Sequence, residues 1–339
     1  MPDPAQLDET HTLADGCLCT NLNAGNIMKQ FLQAASISMA LLLACACSPD
    51  TPKKTESAPV DTPPAASVPA AAIPYGANKA VGATFVHDGV TLYYETYGEG
   101  PPLLLVHGNG GSLGGLAAQI LHFKAKYKVI AMDSRDQGRS SDSAEPITYE
   151  KMTDDLAALL DHLQTGPVDV VGWSDGGIEA LLLGLRHPDK VKKIVSMAAN
   201  LNPGPDAFDP EVKALLKSMM DIPEAARKTP EGKRQLKVVG MMLKEPNIPS
   251  ALLGQVKAPT LVLASDNDLV RLEHIVTIYR SLPNAELAIF PNRTHLMPYD
   301  DPEMFNGAID RFLSTPYRKI DRIPETMASF EKLMSGLAK

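Results

Sequence analysis

The chain has 339 residues, 44% of them hydrophobic, so it is long enough to bury a sizeable core. Its formal net charge is −8 and its basic residues are scattered rather than clustered, which argues against nucleic acid as a partner. All four cysteines lie at or before Cys47, so the rest of the chain can form neither a disulfide nor a thiolate metal site.

The N-terminal segment is typical of a lipoprotein signal peptide. An apolar stretch follows Met28-Lys29-Gln30, ends in small residues, and is too short to span a bilayer as a mature helix. Leu42-Leu43-Ala44-Cys45 resembles the lipobox of bacterial lipoproteins, in which the cysteine is acylated and becomes the new N-terminus. Cys45 is therefore the predicted lipidation site, and Cys47 is the second choice. A lipid anchor implies a periplasm-facing protein of the bacterial cell envelope, held at a membrane that we expect to be the outer one.

Composition divides the remaining chain into segments. We interpret residues 1–27 as an upstream extension from a misassigned start codon and residues 28–47 as the signal peptide with its lipobox. Residues 48–78 are rich in Pro, Ala, Ser and Thr without hydrophobic periodicity, which predicts a disordered tether. The predicted folded core covers 79–199 and 258–318.

Within that core, short apolar runs alternate with helical patterns. Strands are predicted over 83–87, 90–97, 103–106, 129–132, 168–171, 193–197, 260–264 and 286–290. Helices are predicted over 149–163, 177–186 and 272–281. Such alternation predicts an α/β fold whose mostly parallel sheet carries helices on both faces. Asp88-Gly89 is a hairpin turn, so the first strands are antiparallel.

The alternation stops over residues 200–257. Asp209-Pro210-Glu211 and Thr229-Pro230-Glu231 each combine an N-cap residue, a first-turn proline and an acid, so each predicts the start of a helix. We expect a small helical cap inserted between two strands, over the sheet edge where ligands bind in open α/β folds. A C-terminal helical tail is predicted over 319–339.

Gly172-Trp173-Ser174-Asp175-Gly176-Gly177 follows a predicted buried strand and has the pattern of a nucleophile elbow. The turn from strand to helix presents Ser174 at a helix N-terminus, where backbone amides stabilise an anion. We therefore predict Ser174 as a catalytic nucleophile.

A serine nucleophile requires a base, and that base requires an orienting carboxylate. His295 follows the last predicted strand in a loop, at the same sheet edge as Ser174, and is the predicted base. The strand over 260–264 is followed by two candidate acids. Asp268 is preferred because it lies deeper in the turn, whereas Asp266 is expected to hold the turn through bonds to backbone amides.

An oxyanion hole requires two preplaced amide donors. The first is predicted to be the amide of Asp175, and the second the amide of Asn109 in the glycine-rich loop His107-Gly108-Asn109-Gly110-Gly111. His107 itself is expected to support this loop rather than transfer protons.

Together these motifs resemble the α/β-hydrolase superfamily, in its order of nucleophile, acid and base, over about residues 82–313. The stretch from Asp133 to Ser140 also resembles a loop of that family, although Asp136 stands where a glycine is usual. The resemblance implies the α/β-hydrolase fold and a serine hydrolase mechanism that needs no cofactor and no metal.

The elbow is similar to that of the valacyclovir hydrolase or biphenyl hydrolase-like group, which favours esters of α-amino acids through the aspartate after the nucleophile. Asp175 stands at that position, so its carboxylate is a candidate partner for a substrate ammonium. The alternative is that Asp175 only complements the positive end of its helix.

The expected activity is hydrolysis of a small-molecule carboxylic ester, or a related acyl bond, through an acyl-enzyme. Four other activities stay open because the same three residues can perform them: aminoacyl-ester hydrolase or aminopeptidase, enol-lactonase, thioesterase and carbon–carbon bond hydrolase. A non-catalytic ligand-binding homologue is a further alternative.

Overall fold

A computed structural model of the protein describes residues 73–337. The predicted extension and signal peptide, with Cys45 and Cys47, lie outside the described residues, as does the tether up to residue 72. Across the described range, no helix has both the length and the apolar character needed to cross a membrane.

Eight strands form a single sheet in the order β1-β2-β4-β3-β5-β6-β7-β8. The first two strands form an antiparallel hairpin, β2 pairs antiparallel with β4, and all other neighbours are parallel. The strands are β1 (Gly82–His87), β2 (Val90–Tyr97), β3 (Pro102–Val106), β4 (Lys128–Met132), β5 (Val168–Trp173), β6 (Val191–Met197), β7 (Thr260–Asn267) and β8 (Ala285–Thr294). The predicted mixed, mostly parallel sheet is confirmed.

Helices cover both faces of this sheet, and three form the segment between β6 and β7. They are α1 (Ala117–Phe123), α2 (Tyr149–His162), α3 (Asp175–Arg186), α4 (Pro210–Ser218), α5 (Glu224–Arg227), α6 (Pro230–Met242), α7 (Leu272–Ser281), α8 (Met297–Asp300), α9 (Pro302–Ser314) and α10 (Arg322–Leu337).

The period of two in the central strands creates two cores. Leu104 and Val106 face the core formed with α2, α3 and α7, whereas Leu103 and Leu105 face the core formed with α1 and α9. All four leucine and valine side chains are essentially buried. A strand that is covered on both faces is therefore apolar throughout, as the sequence of β3 is.

The fold includes residues that precede its predicted start at residue 79. Glu95 on β2 is fully buried, and its carboxylate accepts 2.8 Å hydrogen bonds from the backbone amides of Gly76 and Asn78. The hydroxyls of Tyr93 and Tyr97 donate to the same carboxylate at 2.6 Å. A buried carboxylate needs such donors, so the end of the segment interpreted as tether is tied to the sheet.

Helices α4 and α6 begin at the two predicted prolines, but their caps differ. Thr229 accepts a 3.0 Å hydrogen bond from the amide of Gly232, as an N-cap does. Asp209 makes no such bond, and its carboxylate instead accepts from Arg271, the residue before α7, at 2.6 Å. Asp209 therefore joins the cap to the core instead of capping its helix.

Candidate active site

The turn between β5 and α3 has the geometry of a nucleophile elbow. Ser174 has φ 57° and ψ −118°, an uncommon conformation for a residue with a side chain. Its amide donates to the carbonyl of Met197 at 2.9 Å. A Cβ atom at Gly172 would overlap the carbonyl of Gly176, and one at Gly176 would overlap that of Val106. These glycines therefore let α3 start against the sheet.

The structure brings Ser174, His295 and Asp268 together. Ser174 Oγ lies 2.9 Å from His295 Nε2, and His295 Nδ1 lies 2.7 Å from Asp268 Oδ1. The Asp268 side chain is fully buried and also accepts from the amide of Val270 at 3.2 Å. Because the carboxylate can only accept from Nδ1–H, Nε2 is left as the acceptor for the serine proton.

Asp266 lies apart from this arrangement. Its carboxylate accepts from the amides of Asn292 and Arg293 at 2.8 and 3.2 Å, which joins the end of β7 to the end of β8. The hydrogen bond from the Asn292 amide is the largest of the effects that lower the pKa of Asp266 below its ordinary value. Asp266 does bind backbone amides, but those of the neighbouring strand and not those of its own turn.

The two residues whose amides are the predicted oxyanion donors, Asn109 and Asp175, contact each other through their side chains. Among residues 73–337, neither the amide of Asn109 nor that of Asp175 donates a hydrogen bond. The side-chain Nδ2 of Asn109 donates to Asp175 Oδ2 at 2.8 Å, and Gln137 Oε1 accepts from the amide of Gly110 at 2.7 Å. The loop after β3 is thus held from both sides, with two amides available to a ligand.

Comparison with known proteins identifies the family. A family model described as alpha/beta hydrolase fold matches residues 101–239. The putative carbamate hydrolase RutD of Caulobacter sp. (strain K31) is 30% identical over 257 residues, which cover 66% of this chain and 96% of the relative. The chain belongs to the α/β-hydrolase family.

Two further similarities support the assignment of the chain to this family. The serine hydrolase BPHL of Mus musculus is 29% identical over 250 residues, covering 67% of this chain and 84% of the relative. The solved structure of a thermophilic esterase from Thermogutta terrifontis superposes with a TM-score of 0.55 at 26% identity, covering 68% of this chain and 96% of the esterase.

The loop that carries Asn109, predicted to form the oxyanion hole, is supported by His107 and by the loop after β4. His107 Nε2 accepts from the amide of Ser134 at 3.1 Å, and its Nδ1 lies 2.8 Å from the carbonyl oxygen of Gly108. Asp133 accepts from the amides of Leu113 and Arg139, each at 2.7 Å. His107 is therefore fully engaged in holding backbone, as expected for a supporting role.

The Asp175 carboxylate of the hydrolase is buried, with only 3% of the residue exposed. Oδ2 accepts from Asn109 and Oδ1 accepts from the hydroxyl of Tyr149, both at 2.8 Å. Burial raises the pKa of Asp175, against the opposing effect of these two hydrogen bonds. Burial likewise holds the pKa of Tyr149 well above its ordinary value. A substrate ammonium that binds this carboxylate would have to share it with the Asn109 side-chain amide and the Tyr149 hydroxyl.

The sequence motifs assign no role to Trp173 or Glu179. The Trp173 indole lies against the His295 ring and contacts Tyr299 edge-on, with centroid distances of 5.5 and 5.0 Å. Glu179 on α3 is buried, and neither carboxylate oxygen has a hydrogen-bond partner among the described residues. Burial raises its pKa well above the ordinary value, and the Asp175 charge adds to the shift. The Trp173 contacts and the burial of Glu179 depend on tertiary packing and leave no local sequence signal.

No group of three or more His, Cys, Asp or Glu side chains between residues 73 and 337 is arranged to hold a metal ion.

Proposed function

We propose that this α/β-hydrolase cleaves a small-molecule carboxylic ester through an acyl-enzyme, with Ser174 as nucleophile, His295 as general base and Asp268 as the residue that orients it. The main support is the continuous contact from Ser174 Oγ to His295 Nε2 at 2.9 Å and from His295 Nδ1 to Asp268 at 2.7 Å. The elbow conformation of Ser174 and the two available amides of the adjoining loops are consistent with acyl transfer.

In the acylation step, Ser174 Oγ attacks the acyl carbon while its proton passes to His295 Nε2. Buried Asp268 stabilises the resulting imidazolium without taking its proton. The carbonyl oxygen becomes an oxyanion and accepts hydrogen bonds from the amides of Asn109 and Asp175. The carbon–oxygen bond to the alcohol then breaks, and the leaving oxygen takes the proton from Nε2.

Deacylation repeats the sequence with water. His295 Nε2 removes a proton from water as its oxygen attacks the acyl carbon of the ester on Ser174. The second tetrahedral intermediate collapses, the acid leaves, and the proton on Nε2 returns to Ser174 Oγ. Water is the co-reactant that these steps consume, and no step transfers an electron.

Aminoacyl-ester hydrolysis or aminopeptidase activity is the second candidate. The carboxylate of Asp175 adjoins the nucleophile and receives two hydrogen bonds, whereas a carboxylate has about four acceptor sites. A substrate ammonium fits the remaining sites electrostatically. This candidate predicts that a free-amine aminoacyl ester is hydrolysed faster than its acetylated counterpart.

Labelling with a fluorophosphonate tests the proposal. The probe should modify one serine, which peptide mapping places at Ser174, and Ser174→Ala should abolish labelling and lower ester turnover by about 10⁶-fold. Ser218→Ala is the matched control, because Ser218 is an exposed serine on α4 whose hydroxyl bonds only the carbonyl of Leu215. Unchanged turnover in Ser174→Ala would contradict the mechanism.

The substrate panel should include a thioester, an enol-lactone, a carbamate and a carbon–carbon bond substrate beside the simple esters. Relatives described as a putative carbamate hydrolase and as an esterase motivate its breadth. An ester that is turned over at least as fast as the other classes supports the carboxylic ester assignment. Labelling of Ser174 without turnover of any substrate would instead support a ligand-binding homologue.

We also propose that the hydrolase is held at the bacterial cell envelope by a lipid on Cys45, with Cys47 as the alternative site. Support comes from the apolar stretch after Met28-Lys29-Gln30 and from its end in Leu42-Leu43-Ala44-Cys45. A Cys45→Ala, Cys47→Ala variant should move from the membrane fraction to the soluble fraction. Recovery of that double variant in the membrane fraction would contradict lipidation.

A further inference from the structure

The residue that departs from the family pattern, Asp136, adopts a backbone conformation that normally belongs to glycine. Its φ is 60°, in the left-handed region, and only 2% of the residue is exposed. A side chain in this conformation is strained, and burial of a carboxylate adds a desolvation cost. A residue held there against both costs must make compensating contacts.

Those contacts lead to the cap. The Asp136 carboxylate accepts from the ammonium of Lys237 on α6 at 2.7 Å. It also accepts from the amide and the hydroxyl of Ser143, at 3.1 and 2.7 Å. Lys237 in turn donates to the carbonyl of Ser143 at 2.6 Å. The side chain of Lys237 is only 25% exposed, so solvent screens this ion pair weakly.

The next residue of α6 contacts the predicted oxyanion loop. The carbonyl of Val238 accepts from Asn109 Nδ2 at 3.4 Å, and the same nitrogen bonds Asp175. One turn of α6 therefore touches the loop after β4 through Lys237 and the loop after β3 through Val238. Both contacts hold α6 against the loops that carry Asn109 and Asp136.

We propose that the Asp136–Lys237 ion pair is a latch that fixes the cap helix α6 over the oxyanion loop and so determines which acyl groups reach Ser174. This inference rests on the proposed function. In the proposed arrangement an acyl group bonded to Ser174 Oγ lies between Asn109 and the cap, so the separation of α6 from that loop limits its size. A buried ion pair adds little net stability, because the desolvation cost offsets much of the Coulomb attraction, whereas removal of one partner leaves an uncompensated charge.

The test compares p-nitrophenyl acetate with p-nitrophenyl octanoate in matched variants. Asp136→Gly removes the carboxylate and relieves the backbone, whereas Asp136→Asn keeps a side chain that tolerates the left-handed region and removes only the charge. Lys237→Met removes the partner charge, and Lys237→Arg retains it. Lys228→Met is the control, because Lys228 pairs with Glu224 inside the cap and both side chains are 76% exposed.

Loss of the latch should raise the ratio of kcat/KM on octanoate to that on acetate about fivefold in Asp136→Gly and in Lys237→Met. The double variant should show no larger change, because both substitutions break the same contact. Lys237→Arg should restore most of the selectivity, and Lys228→Met should leave it unchanged. Ratios that stay at the wild-type value in both single variants, or that multiply in the double variant, would overturn the latch.

Fluorophosphonate labelling separates this failure from failure of the proposed function. The wild type could be labelled at Ser174 and hydrolyse esters while the octanoate-to-acetate ratio of kcat/KM is the same in the latch variants as in the wild type. In that case only the latch proposal is wrong. If the wild type neither labels nor hydrolyses an ester, the proposed function itself is wrong.

Discussion

The indole Nε1–H of Trp173 donates a 2.8 Å hydrogen bond to the backbone carbonyl oxygen of His295, so the residue before the elbow serine holds the loop that carries the imidazole. The two residues are 122 positions apart in the chain. Ser174 and His295 are therefore linked twice, through their side chains and through this bond from the preceding residue. Both links position the His295 imidazole relative to Ser174 Oγ.

Trp173→Phe should keep the aromatic contact with His295 and lose the hydrogen bond. We expect kcat to fall by about 10- to 100-fold, because small displacements of a catalytic group are costly, while KM changes little. Tyr299→Phe is the control, since it preserves the ring that packs edge-on against Trp173. The measurement is kcat and KM of each variant and the wild type on one ester. A change confined to KM would mean that Trp173 contacts substrate instead of positioning His295.

The two aspartates at the end of β7 should differ sharply when each is replaced by asparagine. Asp268→Asn keeps the shape but presents an amide to His295 Nδ1, so kcat should fall by about 10⁴-fold. Asp266→Asn should leave kcat within about tenfold and lower Tm, because Asp266 joins the end of β7 to the Asn292 and Arg293 amides. Equal losses of kcat in the two variants would contradict the assignment of Asp268.

Asp175→Ala separates its two candidate roles. The variant leaves the side chain of Asn109 and the hydroxyl of Tyr149 without their buried acceptor, so the oxyanion loop loses support. We expect kcat to fall by about tenfold or more, and by the same factor on an acetylated and a free-amine aminoacyl ester. A loss restricted to the free-amine ester would establish Asp175 as an ammonium site, as the second candidate function requires.

Glu179 should make the protein less stable as the pH rises. Its pKa in the folded state lies well above the ordinary value of 4.5, so between these two values the folded protein binds more protons than the unfolded chain. Stability conferred by the protonated carboxyl is complete below about pH 4.5 and declines as the pH rises toward the folded pKa. The slope approaches about 1.4 kcal/mol per pH unit in that window.

Glu179→Gln removes this titration while keeping the side-chain shape. The free energy of unfolding of the variant, measured by denaturant titration at several pH values from 5 to 8, should increasingly exceed that of the wild type as the pH rises. Parallel stability curves would show that Glu179 titrates at the same pH in the folded and unfolded states.

Much of this architecture follows from local sequence patterns. The buried run before Gly172 and the alternation of strands and helices predict the parallel sheet, because period and turn chemistry are local properties. Chain order then brings Ser174 and His295 to the same edge. The choice of Asp268 over Asp266 depends on depth in a turn, and the structure places Asp268 against the imidazole.

Contacts between residues far apart in the chain could not be predicted from local sequence patterns. The aromatic residue before the nucleophile gives no sign that its indole reaches the carbonyl of His295, and Lys237 is one of many basic residues in a helical segment. The sequence pattern also gives no sign that the fold includes residues before 79. Gly76 and Asn78 lie in a segment without periodicity and become ordered because buried Glu95 needs their amides.

Trapping the acyl-enzyme tests most directly whether Ser174 is the nucleophile. A p-nitrophenyl ester mixed with the hydrolase and quenched in acid within the first turnovers should leave the acyl group as a mass increment on the peptide containing Ser174. The increment should be absent in Ser174→Ala. Turnover at the wild-type rate with no acylated peptide, or with the acyl group on another residue, would contradict the assignment of Ser174 as the nucleophile.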